Sequence, residues 1–240
     1  KTVIIKITIK MSKYRIKILN GISEVGLERF DEKYTIDGDI ESPDAIVLRS
    51  ASLHEMNFPD TLHSIARAGA GVNNIPIDRC SKEGIVVFNT PGANANAVKE
   101  LAVTALLISS RKVVEGISWT RTLSGDDVAK QVEAGKSQFT GPEIRNKRLG
   151  VIGLGAIGVM VANAAVNMDM EVYGYDPYIS VDHAWGLSRA VKKASELKKL
   201  FKHCDYITLH VPLNGETKGL LNDEAFSQMK DGVRIINLSR

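Results

Sequence analysis

Short apolar runs rich in β-prone residues recur along the chain, each followed by a longer segment of mixed polarity or helical apolar period. From Met11 to about Val98 these runs fall at residues 14–19, 45–48, 64–66 and 85–88. Their βα rhythm predicts a parallel sheet covered by helices. After Phe88 the pattern breaks at Pro91-Gly92, and Asn94 or Asn96 stands where a side chain can cap a helix over 97–114. That helix is apolar on most sides, through Leu101, Ala102, Val103, Ala105, Leu106, Leu107 and Ile108. A helix so broadly apolar has to be buried against a second domain or another subunit. Residues 115–147 read as polar connections with little periodicity, in which Trp119 and Phe139 serve as local packing anchors.

From Arg148 the pattern tightens. An apolar run at 149–152 leads into Gly153, Gly155 and Gly158, a G-x-G-x-x-G. Helical spacing follows, with Ile157, Val161, Ala164, Ala165 and Met168 as its core face, and a second strand ends in Asp176. In such a unit the first glycine allows a sharp turn, the second lets the backbone approach a pyrophosphate, and the third lets helix and strand pack closely. The helix start offers unpaired N–H groups to phosphate. Three glycines alone are a weak signal; the flanking strands, the helix and an acid about 20 residues on make the dinucleotide reading. A carboxylate at Asp176 accepts ribose hydroxyls and repels a 2′-phosphate, so NAD is favoured over NADP. Beyond it the pattern predicts a helix over 194–201, a strand over 205–209 with His210-Val211-Pro212 at its tip, a helix over 223–229 and a strand over 234–238. Ser239 and Arg240 stand at the end of that last strand.

Two places in the first half also lie past strand ends, where ligands gather in parallel sheets. Leu48-Arg49-Ser50 presents a cation and a hydroxyl, and Ala68-Gly69-Ala70-Gly71-Val72-Asn73-Asn74 is a small-residue loop. Each has a plain reading beside the functional one, a solvated arginine and an ordinary turn.

Charge and composition narrow the partners. Lys plus Arg is 31 against 28 for Asp plus Glu, without a long run of like charge, so small molecules are expected and nucleic acid is not. No apolar run is long enough to span a bilayer, and no membrane partner is expected. Cys80 and Cys204 are too few and too far apart to suggest a disulfide framework or a metal site, which points to reduced thiols in a cytoplasmic protein. Residues 1–10, in which lysines interrupt short apolar runs, are of uncertain origin. An added extension or cloning artefact ahead of a natural start at Met11 is favoured over an extra edge strand.

Six blocks carry a resemblance to the D-isomer-specific 2-hydroxyacid dehydrogenase family, and within it to the phosphoglycerate-specific branch. They are the segment from Arg67 to Pro76, the segment from Phe88 to Glu100, the glycine turn with Tyr175-Asp176-Pro177, Trp185-Gly186-Leu187-Ser188-Arg189, Ile207-Thr208-Leu209-His210-Val211-Pro212-Leu213, and Ile236-Asn237-Leu238-Ser239-Arg240. The resemblance implies an α/β fold of two domains. Residues 11–98 would form a flavodoxin-like substrate domain, and residues 99–240 an NAD-binding Rossmann domain incomplete at its C-terminal end. It implies a phosphorylated 2-hydroxy acid as substrate and NAD as cofactor. It also implies a homodimer or higher homo-oligomer formed through the region of the 97–114 helix.

Carried over by position, Ala70 resembles the residue on the nicotinamide side of NAD, and the backbone of Gly71 and Val72 the part that holds the substrate carboxylate. Arg49, Ser50 and Asn94 match substrate contacts. Ala156 and Ile157 match the cover of the pyrophosphate, and Asp176 the ribose acceptor. Val211, Pro212, Leu238 and Ser239 match the cofactor lining, and Arg240 the catalytic arginine. A planar cation at Arg240 suits the work, since it holds a 2-oxo acid through carboxylate and carbonyl and stabilises developing charge.

The family's general acid–base histidine and its paired glutamate are expected beyond Arg240. His210 matches a cofactor-lining motif and not that base; His54, His63, His183 and His203 read as surface or packing residues. Residues 1–240 alone are therefore expected to be inactive or nearly so, since losing a general acid costs about 10²–10⁴ in rate. Two other assignments remain open: a hydroxypyruvate or glyoxylate reductase of the same family, and a non-catalytic NAD-sensing module. One departure from the family pattern is Asn146, where glycine is common. Asparagine tolerates the left-handed backbone, so little should change.

Overall fold

The computed structural model describes residues 13–239, and the expectations for residues 1–10 and for Arg240 lie outside them. The chain divides into two compact units, Lys1–Ala93 and Asn94–Arg240.

In the first unit the strands are β1 (Tyr14–Leu19), β2 (Tyr34–Asp37), β3 (Ala45–Leu48), β4 (Ser64–Arg67) and β5 (Val86–Asn89), with short helices α1 (Glu24–Leu27) and α2 (Ile77–Lys82). All pair in parallel in the order β2-β1-β3-β4-β5. That is the flavodoxin-like order. Four of these strands follow the apolar runs, whereas β2 was not expected. Its four residues, Tyr-Thr-Ile-Asp, form an exposed edge too short and too polar to stand out.

The registers put Ile46, Leu48 and Ile65 on one face, where they pack with Leu53, Leu62, Ile75, Cys80 and Ile85. The other face aligns Ile18, Val47, Ala66 and Phe88, and it is open at its edge, with Val86 53% and Phe88 57% exposed. Parallel sheets ordinarily have both faces covered.

The second unit opens with α3 (Ala95–Arg111), α4 (Val113–Thr120) and α5 (Val128–Gly135), followed by a 3₁₀ turn, Lys136–Phe139. Three expectations need correction here. Helix α3 starts earlier than 97 and is ended by Lys112, whose φ of 47° is left-handed. Neither Asn94 nor Asn96 caps it through the side chain: Asn94 accepts the Val98 N–H on its carbonyl, and the Asn96 amide donates to Glu100 Oε1. The segment 115–147 is substantially helical rather than merely connecting. Within it the Trp119 and Phe139 rings do anchor one another, 5.0 Å apart, and Gly135 lies so close to Trp119 that no side chain would fit.

The remaining elements are β6 (Arg148–Ile152), α6 (Ala156–Asn167), β7 (Glu171–Tyr175), α7 (Val181–Gly186), β8 (Lys192–Lys193), α8 (Leu197–His203), β9 (Tyr206–Leu209), α9 (Asp223–Ser227) and β10 (Arg234–Asn237). They form a parallel sheet in the order β10-β9-β6-β7-β8. Counted from β6, this is five of the six positions of the Rossmann order, with its switch point between β6 and β9.

Helix α6 is gripped between this sheet and α3, so its buried arc runs through Gly158, Val159, Val161, Ala162 and Ala165. Of the expected core face only Val161 and Ala165 are fully buried, while Ile157, Ala164 and Met168 are half-buried. Ala102 and Leu106 of α3 join the same core, and buried Ser110 meets the Tyr206 hydroxyl at 2.5 Å. The outer face of α3 and α4 stays open at Leu101, Leu107, Ile108, Val113, Val114 and Ile117. Asn146 adopts a φ of 59°, as its side chain permits. Among the described residues no helix is long and apolar enough to cross a membrane.

Candidate functional site

Because each sheet is parallel, all its strands deliver their carboxyl ends to one edge, and the candidate residues collect there in two separate groups. In the second unit β6 runs into Gly153, whose φ of +90° excludes ordinary side chains. Its N–H donates to Tyr175 O at 2.9 Å, and a Cβ there would stand 2.7 Å from His210 O. A Cβ on Gly158 would run into the Gly153 carbonyl oxygen.

Gly155 differs from both neighbours. It is the N-cap of α6, at φ −75°, and nothing lies within 4 Å of where its Cβ would be. No side chain caps α6, and the N–H groups of Ala156 and Ile157 have no acceptor among the described residues. An open cradle at the positive end of a helix suits a pyrophosphate.

Asp176 ends β7. Its Oδ2 accepts the Leu154 N–H at 2.7 Å and its Oδ1 the Tyr178 N–H at 2.8 Å. Each oxygen keeps a lone pair free for a hydroxyl donor. From β9 come Val211, against the glycine turn, and Pro212, whose carbonyl accepts the Thr217 hydroxyl. From β10 come Leu238, packed on the core, and Ser239, whose hydroxyl donates to Leu209 O at 2.9 Å and ties the two strand tips together. The structure thus brings Gly153, Gly155, Ala156, Ile157, Gly158, Asp176, Val211, Pro212, Leu238 and Ser239 to one sheet edge. Asn94, at the start of α3, is not at a strand end. The donor set fits NAD: free helix N–H groups, a glycine cradle and a carboxylate.

His210 follows β9 with its Nε2 3.0 Å from buried Thr208 Oγ1, and burial pulls its pKa down to about 4. So weak a base is a poor proton acceptor at neutral pH. The shift has a consequence for stability. The unfolded chain takes up a proton near pH 6.5 that the folded chain refuses until about pH 4, so stability is full above pH 6.5 and falls as pH drops through that window. The loss is about 3 kcal/mol. We expect urea denaturation of wild type to show most of this loss between pH 7 and 4.5, and His210→Gln to lack it. Equal pH dependence in both would refute the assignment.

In the first unit Arg49 and Ser50 are exposed just past β3, and the 68–74 loop follows β4. Asn20, itself left-handed at φ 71°, accepts the N–H groups of Ser50 and Ala51 on its Oδ1. Ala70 is fastened through its carbonyl to Asn89 Nδ2 at 2.6 Å. The loop carrying Gly71 and Val72 is held to the Arg49 segment by Arg67 and Asn74, both of which donate to the Arg49 carbonyl. In the sequence Arg67 is only the edge of a motif, because burial of a cation at a strand end leaves no mark in the pattern.

Residues 103–240 match the family model described as D-isomer specific 2-hydroxyacid dehydrogenase, NAD binding domain. The chain is 35% identical over 228 residues to a D-3-phosphoglycerate dehydrogenase of Synechocystis, covering 94% of this chain and 39% of that protein. It is 34% identical over 239 residues to the D-3-phosphoglycerate dehydrogenase of Methanocaldococcus jannaschii, covering 98% and 44%. It therefore spans roughly two fifths of the length of these curated relatives. Among solved structures it is similar to an NAD+-bound 3-phosphoglycerate dehydrogenase of Entamoeba histolytica, with a TM-score of 0.71 and 26% identity over 95% of this chain and 72% of that one.

Proposed function

Because the chain belongs to the D-isomer-specific 2-hydroxyacid dehydrogenase family, we propose that it forms the nucleotide- and substrate-binding part of an enzyme that oxidises D-3-phosphoglycerate to 3-phosphohydroxypyruvate, the first step of serine biosynthesis. The observation that carries this reading is a cation, Arg49, and the Gly71–Val72 backbone held side by side past β3 and β4, in a chain similar to named phosphoglycerate dehydrogenases. When bound, NAD supplies the hydride acceptor.

The chain's own residues bind and orient. In the second unit Ala156 and Ile157 offer N–H groups to the pyrophosphate, Asp176 takes the adenosine ribose, and Val211, Pro212, Leu238 and Ser239 line the cofactor. In the first unit Arg49 and Ser50 contact the substrate and the Gly71 and Val72 backbone holds its carboxylate. Among the described residues no histidine is paired with a carboxylate, and His210 is too weak a base. With no such paired base among the described residues, residues 1–240 bind both ligands and turn over slowly.

Calorimetry on the chain tests this. NADH should bind, and 3-phosphoglycerate should bind the NADH complex with an affinity that Arg49→Ala lowers by about 30-fold or more, the effect of stripping one partner from a charge pair. A chain that binds NADH and no 2-hydroxy or 2-oxo acid would overturn the reading.

The same proposal includes a homo-oligomer, supported by the apolar residues that α3 and α4 leave exposed, among them Leu101, Val114 and Ile117. Sedimentation equilibrium should give a dimer or larger, and a monomer at high micromolar concentration would count against it. A cytoplasmic setting is supported by Cys80 and Cys204, both free and buried, with burial pushing the Cys204 thiol up to about 12.

A further inference from the structure

One buried cation has no part in the chemistry above. Arg67, at the end of β4, is 8% exposed, and all its partners are neutral. Its Nε donates to the Arg49 carbonyl at 2.9 Å, and its Nη1 donates to the Gly71 carbonyl and, at 3.3 Å, to Asn73 Oδ1. A guanidinium keeps its charge when buried, and its planar fork fixes two acceptors at a set separation, which a lysine's single point of charge cannot do.

The loop is shaped around this fork. A Cβ on Gly71 would lie 3.2 Å from Nη1 and one on Gly69 3.4 Å from Nε, so the glycines let the backbone wrap the guanidinium closely. Other donors complete the frame. Asn74 Nδ2 reaches the Arg49 carbonyl at 3.2 Å and the Ala51 carbonyl at 2.7 Å, and His54 Nε2 meets the Asn73 carbonyl at 2.9 Å.

We propose that Arg67 is a positioning residue that sets the spacing between Arg49 and the Gly71–Val72 backbone, and thereby selects substrates carrying two anionic ends. This rests on the reading of those two elements as contacts for the phosphate and the carboxylate. A residue that merely stabilised the loop would affect every ligand alike. One that sets a spacing matters most to a ligand that spans it.

The test compares 3-phosphoglycerate, which reaches both contacts, with D-glycerate, which reaches only the carboxylate side. Both are titrated calorimetrically into the NADH complex of the full chain, for wild type, Arg67→Lys, Asn73→Ala and Arg49→Ala. Arg67→Lys should weaken 3-phosphoglycerate by about tenfold or more and D-glycerate by less than about threefold, given what a positioned bond to a charged group contributes. Asn73 is exposed, so Asn73→Ala should fold even if Arg67→Lys does not. It should loosen the fork and weaken 3-phosphoglycerate by about threefold, again sparing D-glycerate.

Equal weakening of both ligands, or of neither, overturns the inference. If Arg49→Ala lowers 3-phosphoglycerate affinity while the Arg67 and Asn73 variants bind as wild type, the inference fails alone. If wild type does not bind 3-phosphoglycerate, or Arg49→Ala leaves its affinity unchanged, the functional reading falls and takes the inference with it.

Discussion

Gly155→Ala is expected to weaken NADH binding by about 30-fold or more while changing stability by less than about 1 kcal/mol, and Gly158→Ala to cost about 3 kcal/mol of stability or more. The two glycines sit three residues apart in one motif, yet their surroundings are opposite. A methyl on Gly155 meets nothing within 4 Å, and φ of −75° is one that alanine adopts freely, so the folded chain has room for it. What it occupies is the open cradle before the free N–H groups of Ala156 and Ile157, and displacing an anion there forfeits one or two charge-assisted hydrogen bonds.

A methyl on Gly158 instead meets the backbone oxygen of Gly153, with Val151 behind it. No side-chain rotation relieves that contact. Either α6 moves off β6 or the turn opens, and overpacking against backbone lies at the upper end of what such changes cost. Urea denaturation and NADH fluorescence titration on the same samples decide the matter. A Gly155→Ala chain that binds NADH like wild type would mean the cradle is not the pyrophosphate site.

How far the pattern of residues foretold this arrangement depends on how local the cause is. Gly153, Gly158 and Asp176 were legible because a strand, a turn and a helix demand them at fixed spacing, and every demand lies within 30 residues. The strand over 45–48 was legible for a similar reason, since burial on a parallel sheet favours a continuous apolar run, and the one over 14–19 showed in the alternation of Ile16 and Ile18 with Arg15 and Lys17. Helix α4 was not. Val-Val-Glu-Gly-Ile-Ser-Trp-Thr combines β-branched residues with a glycine, all weak helix formers, and the left-handed Lys112 that divides it from α3 has no glycine to announce it.

The candidate sites divide in the same way. Candidate cofactor residues such as Ala156, at the start of α6, and Ser239, just past β10, stand out because blocks that resemble the family carry them. Arg67 could not be singled out, because the carbonyls it bonds, at Arg49 and Gly71, converge only after β3 and β4 pair. Likewise the half-burial of Ile157 and Ala164 follows from where α3 presses on α6, a contact between residues some 60 positions apart that helical period does not reveal.

Asp176→Asn is expected to shift the ratio of NADH to NADPH affinity by about 100-fold toward NADPH. Two effects combine, and they can be told apart. The carboxylate spends one oxygen on each of two backbone N–H groups, at Leu154 and Tyr178, so it braces the glycine turn as well as offering lone pairs to a ribose. Asparagine has one acceptor oxygen and sets an NH₂ against the other N–H, which should cost about 1–2 kcal/mol of stability and weaken either dinucleotide through a looser turn. Charge acts only on selectivity. Two like unit charges about 4 Å apart repel by about 4 kcal/mol at an effective dielectric near 20, so removing the carboxylate relieves NADPH of a penalty that NADH never bore. NADH, for its part, loses a charge-assisted bond from its hydroxyls. Fluorescence titration with both dinucleotides therefore separates the roles. If both affinities fall and their ratio holds, Asp176 only braces the turn, and the preference for NAD must be set by some other group at the tip of β7.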